Sequence, residues 1–135
     1  MKQVLIIFTL LVSITLFAQT GKAIDVPQIV VKVGLDQTIN LDGTSITFLK
    51  VIEDSRCPNG VDCIWEGEAK VLIRIGTVDG EVVGKTLTFK NGMSVIAGFF
   101  NNKELQFLQL TPHPDANISE AEKQPYALLL RALEK

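Results

Sequence analysis

The fold of this chain is constrained most by short segments in which apolar and polar residues alternate. Pairs of turn-forming residues separate these segments. The clearest segment is 69–75, where the four odd-numbered positions are apolar and Lys70 and Arg74 point to the opposite side. Turn pairs of the tight hairpin type stand at Asp42–Gly43, Asp79–Gly80 and Asn91–Gly92. Together these features predict antiparallel strands joined by short turns.

The same pattern extends over the rest of the chain. Seven or eight short strands are predicted, over residues 28–33, 38–41, 44–52, 69–75, 82–89, 93–97, 104–110 and 126–133. No segment shows sustained helical periodicity, although residues 119–122 have the form of a helix capping box. We therefore expect an all-β fold, either an antiparallel β-sandwich with an immunoglobulin-like look or a small, partly open barrel.

The first 18 residues resemble a secretory signal peptide. Lys2 precedes a run of mostly apolar residues over 4–17, which is shorter than the roughly 20 residues that a membrane-spanning helix needs. Cleavage is predicted after Ala18 or as late as Ala23, leaving 19–135 as a single β domain. A buried N-terminal helix and an uncleaved anchor are the alternatives. No lipid-accepting Cys follows the run, so the sequence predicts export to the periplasm or the extracellular space without a lipid anchor or membrane span.

Charge and composition argue against several classes of function. Without Lys2, 12 Lys and Arg residues face 15 Asp and Glu residues. This mildly acidic balance disfavours nucleic-acid binding, which depends on neutralising phosphates. With one His and two Cys in the chain, there is little material for a metal site or a catalytic triad. We predict no catalytic residues, no metal and no cofactor.

The most distinctive segment, residues 53–68, contains both cysteines. In an exported protein, Cys57 and Cys63 are expected to form a disulfide. Pro58 and Asn59–Gly60 between them favour the chain reversal that brings the sulfurs together. There are three alternatives to a structural disulfide. The cysteines could be a redox pair, they could form a thiolate metal site together with His113, or they could remain two free thiols.

The neighbours of the cysteines suggest further contacts. If residues 63–65 form a strand, Trp65 projects to the same side as Cys63 and packs against the bridge; the alternative is an exposed tryptophan that anchors a partner. Arg56 is expected to pair with one of the nearby carboxylates. These acids are also an alternative calcium site: Glu53, Asp54, Asp62, Glu66 and Glu68.

The cysteine segment resembles a motif of small exported bacterial proteins and lipoproteins, approximately D-S-R-C-P-x-x-V-x-C-x-W-x-G. The matching residues are Asp54–Ser55–Arg56–Cys57–Pro58, followed by Val61, Cys63, Trp65 and Gly67. The segments 110–114 and 126–130 are also similar to the end of that family. The family has no assigned activity, so the resemblance implies an exported bacterial domain with a bridged loop and assigns no catalytic residue.

Two other features have ordinary structural interpretations. His113, between Pro112 and Pro114, is expected to be a surface residue, because no serine lies in a nucleophile motif. Phe99 and Phe100 cannot both point inward from a regular strand, so one of them is expected to be exposed or the chain to turn there.

Taken together, the sequence predicts a non-enzymatic binding module whose partner is an extracytoplasmic protein or other ligand. The residues of the predicted binding loop are Pro58, Asn59, Gly60, Val61, Asp62 and Trp65. A loop that inhibits a protease, with an exposed and extended tip, is one alternative. A purely structural or assembly domain is another, and an enzyme that uses carboxylates such as Asp54 and Glu66 is a third.

Overall fold

The computed structural model describes residues 29–90, 92–119 and 122–134. Eight strands form over these residues: β1 (Val31–Gly34), β2 (Thr38–Leu41), β3 (Thr44–Asp54), β4 (Glu68–Gly76), β5 (Val82–Lys90), β6 (Val95–Phe100), β7 (Lys103–Thr111) and β8 (Ala127–Glu134). Each strand overlaps one predicted from the sequence. The proposed signal peptide and its cleavage site lie outside the described residues.

The strands form two antiparallel sheets of four strands each, in the orders β1-β8-β7-β6 and β2-β3-β4-β5. The sheets do not close into a barrel, so the β-sandwich prediction is confirmed over the barrel alternative. Every neighbouring pair except β1–β8 is consecutive along the chain. The immunoglobulin order differs, since it places non-consecutive strands side by side within both sheets.

The core lies between the two sheets and is formed by the apolar faces that alternation predicts. Ile46 and Phe48 of β3, as well as Leu87 and Phe89 of β5, are buried together. All four odd-numbered apolar positions of β4 are buried. The opposite sheet contributes the side chains Val33, Ala97, Leu105, Phe107, Leu110, Leu128 and Leu130.

Register shifts interrupt the alternation in several strands, and those in β3 and β7 change which residues face the core. The register of β3 against β4 shifts between Phe48 and Lys50, and that of β7 against β8 shifts between Phe107 and Gln109. Each shift inserts one residue, which reverses the side on which later residues lie. As a result Phe107 and Leu110 both face the core, although they are three positions apart.

The loop from β7 to β8 carries the predicted capping contact. The backbone N–H and the hydroxyl of Ser119 both contact the carboxylate of Glu122, at 3.3 and 2.7 Å. These bonds lower the pKa of Glu122 below its usual value. The described part of the chain contains no helix that is long and apolar enough to cross a membrane.

Candidate functional site

Residues 55–67, between β3 and β4, form a loop that we call the bridged loop. Its base continues the β3–β4 hairpin, because the N–H groups of Ser55 and Cys57 donate to the carbonyls of Glu68 and Glu66 at 2.8 and 2.9 Å. Cys57 and Cys63 form a disulfide with their Cα atoms 5.9 Å apart. The predicted disulfide is confirmed.

Gly67 is required at the base of this loop. It has φ 69°, and a Cβ added to it would lie 1.8 Å from the carbonyl oxygen of Ser55. No side chain fits at that distance, so only glycine lets the two arms of the loop approach closely enough to pair.

The tip of the loop is a reverse turn. The N–H of Val61 donates to the carbonyl of Pro58 at 3.3 Å, and Gly60 has φ 84°. This is the pattern of a type II turn, which favours glycine at its third position. The tip is thus exposed but not extended, which differs from the geometry expected of a protease-inhibitor loop.

One arm of the tip is attached to the loop that follows β7. The N–H of Asn59 donates to the carbonyl of Pro114 at 2.8 Å, and the N–H of Ala116 donates to the carbonyl of Asn59 at 3.1 Å. His113 contributes a contact at the same place, since its Nε2–H donates to the carbonyl of Cys57 at 2.8 Å. His113 is exposed, as the sequence predicts, and it helps to position the loop.

Arg56 anchors the start of the loop to the opposite sheet. Its guanidinium forms a bidentate pair with Asp54, with N–O distances of 2.8 and 2.7 Å. It also donates to the carbonyls of Leu110 and Pro112 at 2.8 and 2.9 Å. The expected pairing of Arg56 with a nearby acid is therefore confirmed. The side chains of Arg56 and Asp54 are 12% and 8% exposed, so this ion pair is largely shielded from solvent.

The hydroxyl of Tyr126 completes this polar cluster by donating to Asp54 at 3.0 Å. Burial of the Asp54 carboxyl raises its pKa, but the hydrogen bonds and charge of Arg56, together with the bond from Tyr126, lower it more. The resulting pKa of Asp54 lies below the ordinary value of 3.8. Asp54 is thus an ionised structural group that joins the end of β3 to the start of β8.

The other arm of the loop leaves its apolar side chains in solvent. Val61 is 48% exposed, Ile64 is 105% exposed and Trp65 is 72% exposed. We call these three side chains the apolar ridge. Residues 63–65 do not form a strand, so the condition for packing Trp65 against the bridge is not met; Ile64 and Trp65 lie in a bend. The indole of Trp65 is mostly in solvent, in agreement with the exposed alternative and not with packing against the bridge.

The structure divides the predicted binding loop into two parts. Pro58 and Asn59 form the arm attached to the β7–β8 loop, with Pro58 half-buried, whereas Gly60, Val61, Asp62 and Trp65 are exposed. Ile64 was not among the predicted binding residues. Its position between Cys63 and Trp65 is the available signal, because alternation along an extended segment places it on the side opposite both.

A groove of about 550 Å³ lies beside the loop. Its apolar lining includes Phe89, Leu108 and Leu110, and its loop side includes the disulfide residue Cys57 and the exposed Glu66. This volume is within the range that accommodates a small ligand or a few side chains of a partner.

Two of the remaining acids of the segment, Glu53 and Glu68, form ion pairs with lysines. Glu68 contacts Lys70 and Lys90 at 2.8 and 2.9 Å, and Glu53 contacts Lys70 at 3.0 Å. Hydrogen bonds from the two lysines lower the pKa of Glu68, and bonds to the two glutamates raise the pKa of Lys70. Within residues 29–90, 92–119 and 122–134, no group of three or more His, Cys, Asp or Glu residues is arranged to hold a metal ion.

No protein-family model, curated protein or solved structure matches this chain.

Proposed function

We propose that the protein is a non-enzymatic, exported binding module whose bridged loop contacts an extracytoplasmic protein. The observation that carries the proposal is the apolar ridge, in which Val61, Ile64 and Trp65 are 48%, 105% and 72% exposed within five residues of one loop. Tryptophan is enriched among the residues that dominate binding energy, and clustered apolar side chains in solvent are typical of interaction sites.

The attachment of the loop supports the same proposal. Binding by a flexible loop costs free energy because the backbone of the loop must become ordered, and a preorganised backbone avoids that cost. Here the disulfide closes the loop, Arg56 attaches its start to β7, and Asn59 attaches its tip to the β7–β8 loop. A loop fixed at three places loses little further freedom when a partner covers its apolar side chains.

The surroundings of the ridge indicate the chemistry of the partner. Asp62 and Glu66 flank Ile64 and Trp65, and both acids are exposed. Anionic membrane surfaces are disfavoured by such carboxylates, whereas an apolar pocket with a basic rim complements them. The groove beside Glu66 provides further apolar surface for the same partner.

The non-enzymatic and exported parts of the proposal have separate support. Asp54 and His113, which could serve in acid–base chemistry, are used in contacts that position the loop. The disulfide is typical of oxidising compartments outside the cytoplasm. The apolar N-terminal segment and the resemblance to small exported bacterial proteins agree with export.

Site-specific photo-crosslinking tests the proposal. A photoreactive amino acid at position 64 is expected to capture a partner in the native exported fraction. The matched control is the same group at position 78, because Val78 is 72% exposed and follows β4 at the opposite end of that strand from the loop. Capture at position 64 that disappears in Trp65→Ser supports the proposal, whereas equal capture or none at both positions contradicts it.

A further inference from the structure

Over the residues that the structure describes, the two sheets end in four edge strands, which differ in length and charge. β1 and β2 have four residues each, and β5 has nine residues that include Lys85 and Lys90. β6 has six residues, V-I-A-G-F-F, with neither a charged residue nor a proline. Short length, lysine and proline are the usual features that prevent an edge strand from pairing with another chain. By its own sequence, β6 is the least protected edge of this sandwich.

The outward side chains of β6 are also apolar. Ile96 is 52% exposed and Phe99 is 58% exposed. Their partners in the β6–β7 register are Gln106 and Glu104, so both lie on the outer face of the sheet. Two copies of a strand without charges can pair antiparallel without opposing like charges, and twofold pairing of this kind closes a dimer.

One lysine from the other sheet compensates for this exposed edge. Lys85 pairs with Ile73 in the β4–β5 register, and Ile73 is fully buried, so Lys85 occupies a position that faces the space between the sheets. From there its ammonium group donates a hydrogen bond to the carbonyl of Ala97 in β6. An inward-pointing charge near a sheet edge is a known means of preventing edge-to-edge pairing.

The hydrogen bond falls on the irregular part of β6. The β6–β7 register shifts between Ile96 and Gly98, so Ala97 is the extra residue of a bulge. Bulges bend a strand and turn its edge away from a second chain. Lys85 thus acts on β6 in two ways, because it binds the bulged carbonyl and places a positive charge beside the edge. In a twofold pair centred on the bulge, the two Lys85 ammonium groups would repel each other.

We propose that the β6 edge is a latent surface for a second copy of this chain and that Lys85 keeps it closed. This proposal is independent of the bridged loop. The test is sedimentation velocity on the exported protein from about 10 μM to about 1 mM, the range in which exposed strand edges associate. The variants are Lys85→Met and Lys32→Met, the latter changing an exposed lysine on β1, the other edge of the same sheet.

We expect Lys85→Met to dimerise with an affinity at least about tenfold above that of the wild type, because like charges at an interface are strongly unfavourable. The dimer should show slower amide hydrogen exchange in β6, and the second change Ile96→Lys should restore the monomer. Lys32→Met should behave like the wild type.

If Lys85→Met does not fold, Lys85→Gln takes its place in the test. Glutamine keeps an N–H donor but has no charge, so the same dimer is expected. A folded Lys85 variant that remains monomeric overturns the proposal. So does a dimer in which exchange in β6 is unchanged.

Discussion

Removing the guanidinium of Arg56 should destabilise the fold far more than removing a typical surface charge. Arg56→Met leaves the Asp54 carboxylate, 8% exposed, with the Tyr126 hydroxyl at 3.0 Å as its remaining side-chain donor. It also removes the Arg56 donors from the carbonyls of Leu110 and Pro112. Breaking one side of a buried ion pair typically costs about 3–5 kcal/mol. We expect a loss of that size in the free energy of unfolding.

The assay is urea denaturation followed by far-UV circular dichroism. Trp65 is 72% exposed in the folded state, so its fluorescence is a poor probe of unfolding. The matched control is Lys70→Met, which removes the ion pairs of Lys70 with Glu53 and Glu68. The side chains of Lys70, Glu53 and Glu68 are 35%, 49% and 21% exposed. Surface pairs contribute less than about 1 kcal/mol. Arg56→Lys should fall between the two, because an ammonium group cannot form the bidentate contact.

A loss below about 1 kcal/mol for Arg56→Met would refute this reasoning, because it would place the pair among exposed surface contacts. A double-mutant cycle with Asp54→Asn checks the cause. If the ion pair is responsible, the sum of the stability losses of the two single variants should exceed the loss of the double variant. The reason is that the second change no longer breaks an intact pair.

Three further predictions follow from the same region. Gly67→Ala should lower the free energy of unfolding measured in urea by about 3 kcal/mol or more, because the added Cβ would lie 1.8 Å from a carbonyl oxygen. The control Gly80→Ala should lower it by about 1–2 kcal/mol, because Gly80 also has positive φ but no atom lies within 4 Å of the added Cβ. Replacing Cys57 and Cys63 by serine should preserve the β circular dichroism spectrum but lower stability by about 2 kcal/mol; unchanged stability would contradict a bridge that constrains the unfolded chain. Because folding lowers the pKa of Asp54 below 3.8, its ionised carboxylate stabilises the fold at pH values above 3.8. The stability advantage of the wild type over Asp54→Asn should therefore be complete above about pH 5 and decrease as the pH falls below 3.8. A difference that is independent of pH would contradict this prediction.

The sequence predicts the sandwich well because alternation and turn chemistry are local signals. The buried face of β4 and the turn pair Asp79–Gly80 agree with the structure, since each depends on residues close together in the chain. The disulfide is also predictable, because two cysteines with a turn between them are sufficient to suggest it. The register shift at Leu108 is not predictable, because nothing in the local pattern marks the inserted residue.

The candidate site was harder to predict because its contacts join distant parts of the chain. Arg56 reaches the carbonyl of Leu110, 54 residues away, and Tyr126 reaches Asp54, 72 residues away. Such pairs leave no periodic pattern in the sequence. The exposure of Ile64 is not predictable for a related reason, since it depends on the bend that follows Cys63 in the bridged loop.

The most direct test of the central claim, that the bridge holds a binding loop in place, is affinity capture from the native exported fraction. The wild type is compared with the variant in which Cys57 and Cys63 are both serine, after both are shown to be folded. We predict that a partner crosslinked through position 64 is captured by the wild type and lost or strongly reduced without the bridge. Equal capture of that partner by both proteins would contradict the claim and leave the bridge with a purely structural role.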